Sequence, residues 1–435
     1  MATPEQLLAA LNLMGVVPAS RLAAELGVSQ PTISRLVAAC GPRVCRMGRA
    51  RATRYGRTRE LEGLGSRLPV HRIDDAGRCL PWGQLTLIDG GATWVERTTG
   101  EATLFTGLPP FAADMSPQGY LGRGFPARFP ELRLPPRVTD WGEDHRLVAL
   151  ARRGEDCVGD LIIGSESLDR WLRDPLPEVS TEDYPDLAEA SLRDEVGSSA
   201  GGEHPKFGAR VSGRAVLVKF ADAADGAAGR RWFDLLLCEG LALQLLASEG
   251  HPAAVSRVVD VGRRRFLESE RFDRVGARGR RGILSLAAID DEHFGHRDTW
   301  TRAARRMEEA GLLSADDARQ VRWLDTFGQL IGNSDRHFGN LTLYADGEGR
   351  GRVTLAPVYD MLPMLFAPVG PTLVDRPFQP APPTAENLDV WPEAAALAQR
   401  YWQTLAATRD LQQGLRERAR AADGALGDLR ARVPA

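Results

Sequence analysis

Between residues 331 and 360 the chain reads IGNSDRHFGNLTLYADGEGRGRVTLAPVYD, and this stretch limits the fold more than any other. The helix-patterned run before it (298–332) gives way to a polar loop, and two strand-like runs follow, NLTLYAD and RVTLAPVYD. A loop held between a helix and a hairpin is where a rigid scaffold can fix polar side chains for chemistry. Asp335 and Asn340 stand in the loop, and Asp360 ends the second strand-like run.

Phosphoryl transfer from ATP needs few protein parts: a carboxylate to position the attacking hydroxyl, oxygen ligands for Mg²⁺, and cations for the phosphates. Asp335 suits the first role, accepting the proton of the substrate hydroxyl. Asn340 and Asp360 suit the second. An Asp-x4-Asn with a second Asp about twenty residues later on a hairpin is the protein-kinase arrangement. For the cations, lysine usage is informative. Of 55 basic residues only Lys206 and Lys219 are lysines. Where arginine fills nearly every basic position, a retained lysine suggests a compact point charge that a guanidinium cannot replace. Asparagine is equally scarce: two of the four, Asn333 and Asn340, fall within eight residues of each other.

Lys219 lies inside RAVLVKF (214–220), a strand pattern with apolar neighbours, and a buried lysine requires a partner. Glu239, on the apolar helix WFDLLLCEGLALQLLASEG (232–250), is the natural candidate. ESERFDR (268–274) ends a further strand pattern, RRFLESERF. There the backbone of Glu270 and Phe272 would meet adenine and Asp273 would meet ribose. GSSAGGEHPKFG (197–208) offers a glycine-rich turn at Gly201 and Gly202, followed by Lys206. Backbone N–H groups in such a turn cradle phosphate, though the motif alone equally describes a linker. Arg336 and His337 read first as loop scaffold. His204, His293 and His296 lack metal-ligand company and read as surface or scaffold.

The first 60 residues differ in kind. Nine arginines face three glutamates, a balance of +6 that leaves −9 for the rest of a chain whose total is −3. Three short helices are expected: Pro4–Met14, Arg21–Leu26 with Ser20 as N-cap, and Gln30–Ala39 capped by Ser29. The small residue Ala23, then Gly27 and Ile33, follow helix-turn-helix spacing, and VCRMGRARATRYGRT (44–58) reads as a basic hairpin, or wing. Gln30, Thr32, Ser34 and Arg35 would read bases in the major groove, and Arg46, Arg49, Arg51 and Arg54 would hold phosphates. A homodimer would let such a module read two half-sites.

Residues 60–165 suggest a β-rich region with loops, including a helix-like run over 144–163. An acidic connector is expected over 165–190 and one helix over 391–421. Hydrophobic residues make up 43% and charged residues 26%, and no apolar run of about 18 residues occurs, so no membrane partner is expected. The N-terminus lacks a basic leader, and five scattered cysteines form no CxxC pair, so a cytoplasmic protein without a disulfide framework is expected.

NSDRHFGN, APVYDMLPM, the ERFDR hinge, GLPPFAADMSPQGYLGR and DCVGD together resemble the HipA family. These are serine/threonine protein kinases acting as toxins of bacterial toxin–antitoxin systems. The N-terminal module with RMGRARATRYG looks like the YjjJ subgroup, in which a helix-turn-helix is fused to the kinase. The resemblance implies an α+β fold: a bilobal protein-kinase-like core of HipA type with an N-terminal winged helix-turn-helix domain. The implied domains are 1–60 for the winged helix, 61–165 for the β-rich HipA N-terminal subdomain, 166–275 for the small lobe and 276–435 for the helical large lobe. It further implies ATP and Mg²⁺ as cofactors and a protein substrate, family targets being aminoacyl-tRNA synthetases. Operator-like DNA and a separate antitoxin are further candidate partners. Carried over, Asp335 matches the catalytic Asp, Asn340 and Asp360 the magnesium ligands, and Lys219 the ATP lysine. Ser198, with Ser199 second, matches the autophosphorylated serine. Two other classes compete: a transcription regulator with a non-catalytic kinase-like body, and a small-molecule kinase. The latter typically carries a histidine just before the loop Asp, where Asn333-Ser334 stands here.

Overall fold

A computed structural model describes residues 2–49, 52–173, 177–194, 204–346 and 349–433. The chain divides into two compact units. One comprises Met1–Asp74, Arg78–Pro117 and Thr139–Pro175; the other comprises Asp75–Gly77, Gln118–Val138 and Leu176–Ala435.

The first unit begins with α1 (Pro4–Met14). Thr3 and Gln6 cap it reciprocally, the Thr3 hydroxyl accepting from Gln6 N and the Gln6 side chain from Thr3 N. β1 (Val17–Pro18), α2 (Ala19–Glu25), α3 (Gln30–Cys40), β2 (Val44–Met47) and β3 (Arg54–Arg57) follow, with sheet order β1-β3-β2. The expected basic hairpin therefore forms. Ser20 does not cap α2: pairing of Val17 and Pro18 with β3 sets the chain direction early, and the helix starts at Ala19 with Pro18 in the cap position. Ser29 occupies the cap position of α3, but its hydroxyl bonds the Thr32 hydroxyl at 3.0 Å instead of a backbone N–H. Leu7, Leu11, Leu22 and Ile33 form the core between the three helices.

β4 (Arg67–Ile73), β5 (Cys79–Ile88), β6 (Ala92–Arg97) and β7 (Ala102–Thr106) continue in an antiparallel sheet that β8 (Leu161–Ile163) completes in the order β7-β6-β5-β4-β8. The helix expected over 144–163 is shorter. Between α4 (Pro110–Met115) and β8 the unit contains α6 (Glu143–Arg153), which stops at Gly154. The apolar run LII then joins the sheet edge, where Asp160 pairs with Arg72 at 2.7 Å. The acidic connector is helical for much of its length, with α7 (Ser165–Arg173) in this unit and α8 (Tyr184–Asp194) in the other.

The second unit contains α5 (Gly119–Arg128), α8 and a four-stranded antiparallel sheet in the order β11-β12-β10-β9. Its strands are β9 (Lys206–Val211), β10 (Arg214–Asp222), β11 (Ser256–Val261) and β12 (Arg264–Glu270), with α9 (Gly226–Ser248) between β10 and β11. Tyr184 anchors α8 to this sheet by donating to Glu268 at 2.5 Å, and Arg257 completes the pair from 2.7 Å. Beyond β13 (Arg274–Val275) and β14 (Gly279–Arg280), β15 (Ile283–Ser285) pairs with β16 (Thr342–Tyr344), which pairs with β17 (Thr354–Leu355). The two strand-like runs of the sequence are thus shorter than expected. The remainder is helical: α10 (Leu286–His293), α11 (Trp300–Glu309), α12 (Ala315–Leu330), α13 (Trp391–Ala407) and α14 (Gln413–Arg432). The single helix expected over 391–421 breaks between Ala407 and Gln413. Thr299 and Ser314 cap α11 and α12. Fully buried Trp300, Trp323, Phe327, Tyr401 and Trp402 fill this helical core. Tyr401 donates to Cys238 O at 3.0 Å and Trp402 to Leu330 O at 2.9 Å, so α13 fixes both α9 and α12, the helices that present the site. Among the described residues no helix is long and apolar enough to cross a membrane.

Candidate active site

Lys219 lies on β10 and Glu239 on the buried face of α9. The Lys219 ammonium reaches both Glu239 oxygens at 2.7 Å and also bonds the Asp360 carboxylate. The Glu239 side chain is 1% exposed, so the pair is buried. Burial alone would lower the Lys219 pKa, but the charges of Asp360 and Glu239 outweigh it and hold the ammonium well above its ordinary value. Burial alone would raise the Asp360 carboxyl, but the Lys219 and Lys206 charges outweigh it and hold Asp360 below the usual carboxylate range. Burial raises Glu239, Asp360 adds to the rise, and Lys219 opposes it. Two carboxylates thus share the Lys219 ammonium.

Asp360 adopts φ 55°, a left-handed conformation that costs a non-glycine residue about 1–3 kcal/mol and is concentrated at functional sites. Its neighbours hold it there. Asp360 N donates to Glu239 Oε1 at 3.1 Å. Asn333 Nδ2 donates to Asp360 O at 2.9 Å, while Asn333 Oδ1 accepts from Asp335 N at 3.0 Å. Asn340 Nδ2 donates to Asp335 O at 2.8 Å. The structure therefore brings Lys219, Glu239, Asp335, Asn340 and Asp360 into one connected cluster. Its central link, Asn333, is 2% exposed and was not among the expected site residues.

The loop is built from α12 outward. Gly332 (φ 72°) turns the chain out of the helix. Arg336 returns to bond Asp325 at 2.9 Å and also bonds Asn333 O, which supports its reading as scaffold. Asp325 is itself held by the Thr301 hydroxyl at 2.7 Å. Glycine at 328 permits this approach, since a Cβ there would stand 2.5 Å from Arg336 Cδ. Trp300 Nε1 donates to His337 O at 3.1 Å. These contacts hold the loop and leave the Asp335 side chain 52% exposed.

Lys206 begins β9 directly opposite Lys219 in the antiparallel register, so both lysines share one sheet face. Glu270 ends β12 and its N–H donates to Val255 O at 2.8 Å. Phe272 stacks on Tyr359, the residue before Asp360, at a 6.1 Å centroid distance. Asp273 is 3% exposed and held by Arg271 (3.0 and 3.1 Å) and Arg274 (2.7 Å), which makes it an anchor of the hinge instead of an open ribose acceptor. Gly201, Gly202, Ser198 and Ser199 lie outside the described residues. In the other unit, Gln30, Ser34 and Arg35 of α3 are exposed, Thr32 is half-buried, and Arg46, Arg49 and Arg54 are exposed on the hairpin. Arg51 lies outside the described residues.

Among the described residues no group of three or more His, Cys, Asp or Glu is placed to hold a metal by itself. The donor set still suits Mg²⁺, which takes hard oxygen ligands from one or two protein groups and completes its shell with phosphates and water. Asp360 and Asn340 are the residues that would hold it.

A family model described as "YjjJ-like toxin, middle domain" matches residues 64–172, and one described as "HipA-like C-terminal domain" matches residues 198–432. Toxin YjjJ of Escherichia coli (strain K12) is 38% identical over 411 residues, covering 91% of each chain. A chain of the Shewanella oneidensis MR-1 toxin–antitoxin complex of HipA, HipB and operator DNA shares 15% identity, covering 84% of this chain and 97% of that one, with a TM-score of 0.50. That second likeness is one of fold.

Proposed function

Because the chain belongs to the HipA-like toxins and carries the YjjJ-like middle domain, we propose that it is an ATP- and Mg²⁺-dependent serine/threonine protein kinase with a fused DNA-binding module. The observation that carries this reading is the unbroken series of contacts from Glu239 through Lys219, Asp360 and Asn333 to Asp335 and Asn340. Asp335 accepts the proton of the protein substrate's hydroxyl as it attacks. Lys219, oriented by Glu239, and Lys206 neutralise the nucleotide phosphates. Asp360 and Asn340 hold Mg²⁺, which when bound supplies charge neutralisation at the transferring phosphoryl group. The backbone of Glu270 and Phe272 receives adenine. The test is transfer of radiolabelled γ-phosphate to bacterial lysate proteins by wild type, Asp335→Ala and Asp360→Ala. Labelling by wild type alone supports the reading. No transfer by any of the three, with promoter binding retained, selects a regulator with an inert kinase-like body.

Phosphate added to Ser198 or Ser199 would add about −1.5 to −2 charges to this glycine-rich segment, and the modification is proposed to switch the enzyme off. Mass spectrometry after incubation with ATP is expected to find that modification within 197–208, and its absence there removes the idea.

The arginine-rich hairpin and the exposed face of α3 support binding to operator-like DNA. With Arg46, Arg49 and Arg54 on phosphates, the logarithm of affinity falls linearly with the logarithm of salt, by roughly 0.9 per phosphate neutralised. Replacing Arg46 and Arg49 together with Ala is expected to reduce that slope by about two in a gel-shift series. Affinity indifferent to ionic strength contradicts the assignment. A second copy, for two half-sites, and a separate antitoxin are the proposed macromolecular partners; the Shewanella complex, with its HipB and operator DNA, motivates the latter.

A further inference from the structure

Tyr359 stands one residue before Asp360, and its hydroxyl reaches the loop that carries Asn340. It donates to Gly339 O at 3.1 Å and lies 2.8 Å from the hydroxyl of Thr342, a buried residue of β16. A phenol has a single proton and a carbonyl oxygen only accepts, so the Thr342 hydroxyl is the donor in the second bond. The accepting carbonyl belongs to the Gly339–Asn340 peptide. The other side of that peptide, Asn340 N, donates to His337 O at 3.0 Å. The peptide plane is therefore held from both sides at the residue that carries a proposed Mg²⁺ ligand. Asn340 Nδ2 donates to Asp335 O at 2.8 Å, which leaves Oδ1 as the atom able to ligate a cation. Asp360 is fixed by Glu239 at its N–H and by Asn333 at its carbonyl. The Tyr359 ring stacks on Phe272, a contact that phenylalanine would make equally well, so packing does not account for the hydroxyl.

We propose that Tyr359 is a positioning residue whose hydroxyl, backed by Thr342, sets the spacing of Asn340 from Asp360 and so fits the pair to Mg²⁺ in preference to a larger cation. This rests on the ATP-site reading of the cluster and adds to it the device that spaces the two ligands. A single side chain joins them: its own backbone continues into Asp360, and its hydroxyl holds the peptide of Asn340. Mg²⁺ demands near-octahedral ligands at about 2.0–2.1 Å, whereas Ca²⁺ accepts a looser shell at about 2.3–2.6 Å. Two ligands spaced by a stacked ring can therefore discriminate between these ions, and the same two on a slack loop cannot.

The experiment measures MgADP, CaADP, metal-free ADP and adenosine binding to the full chain by calorimetry. Tyr359→Phe keeps the ring on Phe272 and removes the hydroxyl. It is expected to weaken MgADP about three- to tenfold, the effect of one hydrogen bond, and CaADP by a smaller factor. Metal-free ADP and adenosine should bind as they do to wild type. Thr342→Val removes only the donor behind the hydroxyl, so it should erode the preference for MgADP over CaADP in the same direction by less. The double variant should be no weaker than Tyr359→Phe, because both act through one bond to Gly339. Losses that add would mean that the two hydroxyls work separately, and would overturn the proposal. Unchanged MgADP affinity, or equal loss of MgADP and CaADP, would also overturn it. Adenosine weakened as much as MgADP would assign the effect to ring packing, with the same consequence. A wild type that binds MgADP no better than metal-free ADP removes the metal roles of Asn340 and Asp360. One that binds none of the four removes the ATP-site reading, and the proposal falls with either. Should Tyr359→Phe fail to fold, Thr342→Val carries the test by itself, and an unaltered preference between the two ions overturns the assignment.

Discussion

Asp335→Ala is expected to lower phosphoryl transfer by about 10²–10⁴-fold, the range a positioned acid–base group supplies. Stability should change little. The loop is held at this position by backbone groups that alanine retains: Asp335 N still donates to Asn333 and Asp335 O still accepts from Asn340. The carboxylate itself is half exposed, so its removal opens no cavity. Asn340→Ala provides the contrast, because it removes both a proposed Mg²⁺ ligand and the 2.8 Å bond that closes the loop. Single-turnover transfer together with a thermal melt separates the two variants. Should Asp335→Ala retain wild-type transfer, the proton would have another acceptor and the assignment of this loop would fall. A melt lowered as far as that of Asn340→Ala would make Asp335 a structural residue.

The parts of the site legible in the sequence are those whose logic is local or compulsory. A lysine within RAVLVKF is flanked by apolar residues, so it must be buried and must be paired, and Glu239 was the acid within reach. Asp335 and Asn340 are close in sequence and belong to one loop. Asn333 was harder to see. Its role depends on Asp360 O, 27 residues away, arriving beside Asp335 N, and no spacing rule encodes that meeting. The only sequence signal was the concentration of scarce asparagines. Asp273 shows the reverse error: the flanking Arg271 and Arg274 were in view, and an acid between two arginines in a tight turn is engaged before any ligand arrives. The short apolar run LII cannot reveal by periodicity whether it continues α6 or starts β8, and Gly154 together with the pairing to β4 decides it.

The largest stability effect is expected from Lys219→Met, which keeps side-chain length and deletes the charge. Glu239 would lose both of its 2.7 Å bonds at a side chain that water barely reaches, and Asp360 would lose the same ammonium. Breaking a buried pair from one side costs about 3–5 kcal/mol, because the surviving charge remains desolvated. Its dependence on pH identifies the cause. In the wild type the Lys219 pKa is raised, so its contribution is fully present below the ordinary lysine value of about 10.4 and lost only as pH climbs through the folded value. The depressed Asp360 contributes above the ordinary aspartate value of about 3.9 and fails only as pH falls through its folded value. Neither changes between pH 8 and pH 5. In the variant, Glu239 and Asp360 face each other without a cation, so the rise already imposed on Glu239 by burial and by Asp360 goes unopposed. An acid whose folded pKa is raised stabilises the fold as pH falls, because the folded state takes up the proton more readily than the unfolded one. The gap between wild type and variant in urea midpoints should therefore narrow from pH 8 to pH 5. Adding Glu239→Gln to Lys219→Met should recover part of the loss at pH 8, since one of the stranded charges is gone. A gap that stays constant with pH, or a double variant no more stable than Lys219→Met, would mean that the two carboxylates do not share this ammonium, and the electrostatic basis of the site would have to be abandoned.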